Sequence, residues 1–228
     1  MHDELRRRVL VANLAIVDAG LVTLTFGNVS GVDRAAGVMA IKPSGVPYDQ
    51  LDENAIVLVD LETGQPATGS LRPSSDAPTH VVLYRRFAGV GGVVHTHSPF
   101  AAAWAQTGRA LPCLGTTHAD HFHGAVPVTR ALVPDEIAGD YEEQTGNVIV
   151  EAVSDPEDIP AVLVRGHGPF AWGVDVESAV ENAVALEAVA ALAYRTLTIE
   201  PHPGEFDVHL RDRHFARKHG ASRYYGQQ

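Results

Sequence analysis

Residues 91–97 read GGVVHTH, a short apolar run that begins with two glycines and ends with two histidines two positions apart. A run of this kind is typical of a buried β-strand, in which alternate residues point to the same face, so His95 and His97 are expected to project side by side. Two neutral imidazoles held in this way supply half of the ligands of a metal site. A lone pair also occurs as one core histidine beside one surface histidine, so a metal site requires further ligands to converge.

The composition limits the fold and the partners. A chain of 228 residues with 45% hydrophobic and 20% charged residues is typical of one globular domain, expected here to span residues 1–228. The formal net charge of −11 argues against a nucleic-acid partner, because phosphate contacts require clustered Lys and Arg. An anionic ligand must therefore be bound by local donors rather than by the overall field.

Cysteine usage and hydropathy indicate the compartment. The single cysteine, Cys113, excludes an intramolecular disulfide and is typical of a reducing environment. The first residues, MHDELRRRVLVANLAIV, carry no signal-peptide cleavage pattern. The most apolar helical stretch is interrupted by Glu187 and is too short to span a bilayer. These features predict a cytoplasmic protein with no membrane partner.

The order of predicted elements indicates the fold class. Apolar runs bounded by Gly, Pro or Asp predict strands within residues 24–33, 37–45, 54–64, 92–97, 161–168 and 169–173. Helical spacing and capping signals predict helices near residues 4–18, 74–87, 99–106, 134–144, 176–197 and 205–219. Because strands and helices interleave irregularly, we expect a three-layer α/β sandwich rather than a βαβ repeat. No G-x-G-x-x-G follows the first strand, which removes the simplest dinucleotide site.

Two further residues are candidate ligands for the H-x-H pair. His167 lies between glycines at the end of a predicted strand, where backbone can pass close to a ligand. Asp76 opens the helix that precedes the H-x-H strand, and an acid there is most often a simple N-cap. Three histidines and a carboxylate together would form a divalent site suited to Zn²⁺, Mn²⁺ or Co²⁺. Spacing alone leaves open whether the four residues meet.

Three short segments have the composition of phosphate-binding turns: GNVS (27–30), KPSG (42–45) and RPSSD (72–76). The last segment opens a helix, whose N-terminus attracts anions, and Lys42 adds a point charge. Each segment alone is weak evidence, because Asn, Ser and Gly are common in ordinary turns. Three of them in the first third of an acidic chain favour a phosphate-bearing ligand.

The motifs in their order resemble the L-ribulose-5-phosphate 4-epimerases of the class II sugar-phosphate aldolase superfamily. The resemblance runs from about residue 5 to the C-terminus and rests on LTFGNVSGVD, IKPSGVPYD, PSSDAPTHVVLY, GGVVHTHSPFAAAWAQ, GTTHAD, ETGNVIVE, HGPFAWG and RKHGASRYYGQ. It implies an α/β/α sandwich around a largely antiparallel sheet, a C4 homotetramer and a divalent metal, usually zinc. The metal ligands that it implies are Asp76, His95, His97 and His167.

The resemblance also implies the remaining site residues. The acid/base pair would be Asp120 and Tyr225, and the C-terminal tail, residues 205–228, would pack at a subunit interface and complete the neighbouring subunit's site. Supporting residues would be Thr116, Glu142, His214 and Arg217. The phosphate of the sugar would be bound by Gly27, Asn28, Lys42, Ser44, Gly45, Ser74 and Ser75.

Two departures bear on the function. The stretch HADHFHG carries His121 and His123 where these epimerases usually have aromatic residues; with His118 they could form a second metal site, although exposed loop positions are the simpler interpretation. Related aldolases use a glutamate near the position of Asp76, so the shorter aspartate favours epimerisation over net aldol cleavage. A class II aldolase or dehydratase, and a non-catalytic module like the adducin head domain, remain the alternatives.

Overall fold

The computed structural model describes residues 2–68, 71–220 and 223–224 of the chain. The strands are β1 (Asn28–Asp33), β2 (Val38–Ile41), β3 (Val57–Asp60), β4 (Pro66–Thr68), β5 (Gly92–His95), β6 (Ala161–Val164) and β7 (Gly168–Gly173). The helices are α1 (Asp3–Asp18), α2 (Ala77–Arg86), α3 (Pro99–Thr107), α4 (Thr116–Ala119), α5 (Pro134–Ala138), α6 (Tyr141–Ala152), α7 (Val176–Ile199) and α8 (Val208–His219).

The seven strands form one sheet in the order β4-β3-β2-β1-β5-β7-β6. Every ladder between neighbouring strands is antiparallel, which confirms the expected fold class. Strands β1, β5 and β7 are adjacent in the middle of the sheet although they are distant in sequence. The ends of these three strands therefore bring together segments from three parts of the chain.

Alternate residues of the strands face two separate apolar cores, one on each side of the sheet. Val94 and Ala171 pack with the helices α1, α3 and α7, whereas Val93, Phe170 and Trp172 pack with α2 and α6. Both faces are covered by helices, so most residues of β1–β3 and β5–β7 are buried, whereas Pro66 and Ala67 of the edge strand β4 are exposed. The sandwich has three layers, as the element order predicts.

Gly92 allows the start of α7 to lie directly against β5. A Cβ at this position would lie 2.5 Å from the carbonyl oxygen of Asp175 and 2.6 Å from the Cα of Val176. Both contacts are with backbone, which has little freedom to move away, so only glycine fits this strand position. Gly92, the second residue of the GGVVHTH run, thus allows the strand that carries His95 to pack closely against the start of α7.

Several predicted boundaries are wrong for local reasons. The first strand begins at Asn28 rather than residue 24, because Leu24 and Gly27 have φ of 55° and 83°, which an extended strand excludes. The helix predicted at 134–144 is broken near Gly139 and continues as α6 to Ala152. Strand β4 and the short helix α4 were not expected.

The C-terminal helix α8 packs against α4 of its own chain. The expected catalytic residue Tyr225 lies outside the described residues, as do the last residues of the tail. None of the described helices combines the length and the apolar character that crossing a bilayer requires.

Candidate metal centre

The site lies where β1 begins, β5 ends and β7 begins, next to the first turn of α2. The register places Asn28 opposite His95 across the β1–β5 ladder and His95 opposite Phe170 across the β5–β7 ladder. Gly27 permits the close approach, since a Cβ there would lie 2.9 Å from the carbonyl oxygen of His95. His167 occupies the tight turn between β6 and β7, immediately before the strand.

His95, His97 and His167 form the one cluster of potential metal ligands found among the described residues, with their ligand atoms within 4.8 Å of one another. The Nε2 atoms of His95 and His97 are 3.1 Å apart, and the three ring centroids are separated by 4.7–5.1 Å. Three of the four predicted ligands therefore converge, and the carboxylate of Asp76 is not part of this group. Strand β5 ends at His95. His97 therefore joins the cluster from the loop that follows the strand and not from a regular strand face.

His95 is held with one nitrogen free for a metal. It is 1% exposed, its ring stacks on Phe170 at 4.2 Å, and its Nδ1 donates to the carbonyl oxygen of Pro169 at 2.9 Å. Burial lowers the pKa of His95 well below its usual value, and it lowers the pKa of His167 as well. Both rings are therefore neutral at physiological pH, and the Nε2 lone pair of His95 faces the cluster.

The donor set fits a divalent transition metal. The Nδ1 atom of His167 is buried and has no hydrogen-bond partner in the described part of the chain. A buried unpaired nitrogen costs free energy unless a partner fills its place, and a metal ion is one such partner. Neutral imidazoles with an adjacent carboxylate are the ligands preferred by Zn²⁺ and by its first-row neighbours.

Asp76 lies beside the three histidines, but its carboxylate is hydrogen-bonded to other residues. Its Oδ2 accepts a hydrogen bond of 2.7 Å from the amide of Asn28 and a longer one of 3.4 Å from the hydroxyl of Ser74. Burial raises its pKa, but the nearby rings of His95 and His80, which become cationic in the acid range where a carboxyl group titrates, and the Asn28 bond outweigh this and hold the pKa below its usual value. Asp76 is thus an anion next to the cluster, although its carboxylate is not among the atoms within 4.8 Å.

The three candidate phosphate segments lie next to one another in the structure. The amide of Ser74 donates to the carbonyl oxygen of Lys42, and the amide of Ser44 donates to that of Arg72, so segments 42–45 and 72–76 run side by side. The side chain of Asn28 joins them through a 3.0 Å bond to the hydroxyl of Ser74. Ser44, Gly45 and Ser75 are at least partly exposed at the surface of this group.

Lys42 is a buried cation without a recorded counter-ion. It is 2% exposed, and its ammonium lies 4.7 Å from the centre of the Tyr48 ring and 3.4 Å from the carbonyl oxygen of Pro43. Burial lowers its pKa. No carboxylate lies within ion-pair distance of it among the described residues, so an anionic ligand would supply the missing charge.

Asp120, at the end of α4, belongs to a separate cluster that it forms with two residues of α8. Arg217 donates to both carboxylate oxygens at 3.0 and 2.7 Å, and His214 Nδ1 lies 3.0 Å from Oδ1. Partial burial raises the pKa of Asp120, but these two partners outweigh it and hold the pKa below its usual value. The structure records no hydrogen bond or ion pair between Asp120 and the three clustered histidines in the residues it covers. His214 and Arg217, expected to support the site near the phosphate, contact Asp120.

The other loop histidines have separate partners. His118 is buried and bonds to the carbonyl oxygen of Gly124, His121 lies 3.2 Å from the Lys218 ammonium, and His123 bridges two aspartates. They form no common ligand group within the described chain, so the second metal site is not supported.

Two of the supporting residues, Thr116 and Glu142, have no recorded hydrogen bond or ion pair to the three histidines in the part of the chain that the structure describes. Thr116 begins α4, one turn before Asp120, and the carbonyl oxygen of Glu142 accepts a 2.6 Å bond from Thr79 on α2. Sequence reasoning missed His80, which is fully buried one helical turn after Asp76. The Asp-x-x-x-His spacing, four residues along a helix, is the signal that could have identified it.

The model of the Class II Aldolase and Adducin N-terminal domain matches residues 7–194, and the chain belongs to this family. Solved structures with the same fold include an L-fuculose 1-phosphate aldolase, with 21% identity over 92% of this chain and 94% of that one and a TM-score of 0.78. YgbL from Klebsiella pneumoniae has 21% identity over 93% and 98% of the chains and a TM-score of 0.74. The L-fuculose-1-phosphate aldolase from Thermus thermophilus has 22% identity over 89% and 98%, with a TM-score of 0.67. Family and fold are consistent with metal-dependent sugar-phosphate chemistry.

The buried histidines predict a steep loss of stability in acid. Burial lowers the pKa of His80 and of His118 to about 4 and lowers that of His95 as well, against about 6.5 in an unfolded chain. Their contribution is complete above pH 6.5 and is lost as the pH falls towards 4, because the unfolded chain then binds more protons. We expect metal-free protein to lose up to about 4 kcal/mol of unfolding free energy per pH unit in this window.

Urea unfolding at pH 7.5, 6.0 and 5.0 in a chelator measures this slope. His118→Gln should reduce it by about 1.4 kcal/mol per pH unit. A flat profile between pH 6.5 and 5 would contradict the buried neutral rings.

Proposed function

We propose that the protein is a metal-dependent sugar-phosphate epimerase that interconverts L-ribulose 5-phosphate and D-xylulose 5-phosphate at C4. The observation that carries the proposal is the convergence of His95, His97 and His167 beside an ionised Asp76. The phosphate segments adjoin this centre through Asn28, which bonds both Asp76 and Ser74. One end of the site is suited to a metal ion and the other to an anion. A sugar phosphate requires both, because its sugar oxygens can bind a metal and its phosphate is an anion.

The substrate's chemistry explains why a metal centre is useful. The C4 hydrogen of a 2-keto pentose is not adjacent to the carbonyl, so it is not acidic. The C4 hydroxyl is β to the carbonyl, however, and the C3–C4 bond is therefore an aldol bond. Loss of the hydroxyl proton and cleavage of C3–C4 yield the enediolate of dihydroxyacetone and glycolaldehyde phosphate. Rotation of the aldehyde before the bond re-forms inverts C4.

His95, His97, His167 and Asp76 would hold the divalent ion, which supplies Lewis-acid stabilisation of the negative charge on the enediolate. Lys42 and the amides and hydroxyls of Ser44, Gly45, Ser74 and Ser75 would bind the phosphate, with Gly27 and Asn28 shaping the pocket between the two ends. The buried ammonium of Lys42 has no recorded acidic partner in the described chain, so a phosphate dianion would stabilise it.

Proton transfer at the C4 oxygen is assigned to Asp120 and Tyr225. Arg217 and His214 favour the ionised form of Asp120, which suits a base that accepts the hydroxyl proton. Tyr225 would return a proton from the opposite face. Because Asp120 is bonded to α8 and not to the histidines of its own chain, we propose that it acts in the neighbouring subunit's site within a homotetramer.

An aldolase remains the second candidate, and one feature favours epimerisation. The short Asp76 side chain is bonded to Asn28 and lies beside the ligand cluster, so it is suited to hold a metal rather than to reach substrate as a base. The half-buried thiol of Cys113 is compatible with the reducing cytoplasm, which we propose as the compartment.

The activity assay is incubation of zinc-loaded protein with L-ribulose 5-phosphate in D₂O. We expect D-xylulose 5-phosphate with no deuterium at C4, because C4 keeps its hydrogen when C3–C4 breaks. We also expect slow condensation of dihydroxyacetone with glycolaldehyde phosphate. Mass spectrometry and proton NMR measure both.

Three outcomes would contradict the epimerase. Accumulation of free glycolaldehyde phosphate indicates a net aldolase, loss of water indicates a dehydratase, and deuterium at C4 indicates direct proton abstraction. Protein treated with a chelator is the matched control, and its activity should return when zinc is restored.

The shared site predicts complementation between inactive variants. His97→Asn lacks a metal ligand and Asp120→Asn lacks the base, so each homotetramer should be inactive. After subunit exchange in an equal mixture, about a quarter of the neighbouring pairs combine an intact metal centre with an intact Asp120. Activity should therefore rise to about a quarter of the wild-type value.

Separate preparations of each variant, taken through the same exchange procedure, are the control. A site contained within one subunit leaves every protomer defective. Activity that never rises above that of the separate variants, with mixed oligomers verified by native mass spectrometry, would overturn the shared site.

A further inference from the structure

A buried row of polar side chains connects β1 to α2 behind the metal centre. Asn28 and Ser30 share one face of β1, and Asp76, His80 and Tyr84 follow one another at helical spacing along α2. Asn28 bonds Asp76, and Ser30 Oγ lies 2.7 Å from His80 Nδ1 and 2.8 Å from the Tyr84 hydroxyl. We call these five residues the polar seam. The proposed reaction uses two of them and gives no role to the other three.

The partners of Ser30 decide which nitrogen of His80 carries the proton. Tyr84 is fully buried, burial raises its pKa, and its hydroxyl must donate to an acceptor. Ser30 Oγ is the hydroxyl's recorded side-chain partner, so Tyr84 donates to Ser30 and Ser30 donates in turn to His80 Nδ1. An accepting Nδ1 in a neutral ring places the proton on Nε2. The opposite direction would leave the Tyr84 proton without this acceptor.

The protonated Nε2 of His80 is buried and has no hydrogen-bond partner in the described part of the chain. The ring is edge-on to Phe170, which stacks on the metal-facing His95. Asp76 lies one turn earlier on the same helix face, and its carbonyl oxygen accepts the backbone amide of His80 at 3.1 Å.

The carboxylate of Asp76 has room for this donor. Both of its recorded side-chain hydrogen bonds, from Asn28 and Ser74, go to Oδ2, and the structure records none to Oδ1 among the residues it covers. Groups that donate to a ligating carboxylate fix its orientation and strengthen metal binding. Asn28 alone would leave the carboxylate free to turn about its bond to Oδ2.

We propose that His80 is a positioning residue of the metal centre: its unpartnered Nε2 proton is accepted by Asp76 when the carboxylate turns towards the three histidines, with Asn28 as the second donor. The inference rests on the metal site of the proposed function and deepens it. Ser30 and Tyr84 are then not merely core packing, because they fix the tautomer of His80 that can donate.

The first test measures the tautomer in the wild-type protein. Long-range ¹H–¹⁵N correlation spectra of metal-free protein, labelled in histidine, distinguish a protonated ring nitrogen from a bare one. We expect the proton of His80 on Nε2. A proton on Nδ1 would overturn the proposal whatever the variants do.

The second test compares two amides that place a donor differently. The Gln side-chain nitrogen reaches the position of histidine Nε2, whereas that of Asn reaches only the position of Nδ1. Competition with a chromophoric chelator measures the zinc dissociation constant without reference to activity. We expect His80→Asn to weaken zinc binding by about 10- to 100-fold and His80→Gln to bind near the wild-type level.

Thr145→Val is the matched control. It removes a buried hydroxyl of α6 that bonds the carbonyl oxygen of Tyr141 and lies outside the polar seam, so zinc affinity should remain at the wild-type level. Equal affinity of His80→Asn and wild type, or an equal loss in Thr145→Val and His80→Asn, would overturn the proposal. Failure of wild-type protein to bind zinc would instead overturn the proposed function.

Discussion

The hydrogen bond from His95 Nδ1 to the carbonyl oxygen of Pro169 is the interaction on which the site depends. It links the end of β5 to β7, and it fixes the proton on the nitrogen that faces away from the cluster. The register of β1, β5 and β7 places Asn28, His95 and Phe170 in one row across the sheet, so this bond also aligns the ring with its neighbours. A buried neutral imidazole that a backbone acceptor orients from behind is suited to bind the proposed metal without rearrangement.

The structure divides the candidate catalytic groups into two charged clusters. One contains the three histidines, Asp76 and the segments around Lys42 and Ser74, all at the strand ends. The other contains Asp120 with His214 and Arg217 on α8. The division has a physical consequence, since a base held among cations stays ionised and does not compete for the metal. It is also the reason that the proposed reaction needs a second subunit.

Short sequence motifs predicted the residues of the candidate metal centre. The two-residue spacing of His95 and His97, the glycines around His167 and the helix cap at Asp76 each have a signature a few residues long, and an antiparallel sheet brings them together. No short motif identifies the proposed role of His80, because that role depends on its contact with Ser30, fifty positions away in sequence. The surroundings of Asp120 depend on contacts with α8 nearly a hundred positions away, which no periodicity in the sequence reveals. The true start of β1 was missed because Leu24 adopts a left-handed conformation, which is rare for leucine and is not predicted by its residue type.

X-ray absorption spectroscopy of the zinc-loaded protein tests the central claim most directly, because it counts the ligands of the bound metal. The account predicts three imidazole nitrogens at about 2.0–2.1 Å and oxygen from a carboxylate at about 2.0–2.2 Å. In His97→Asn the imidazole count should fall. A sulfur ligand, or fewer than three imidazoles in the wild-type protein, would contradict the assignment of His95, His97 and His167 as the metal centre.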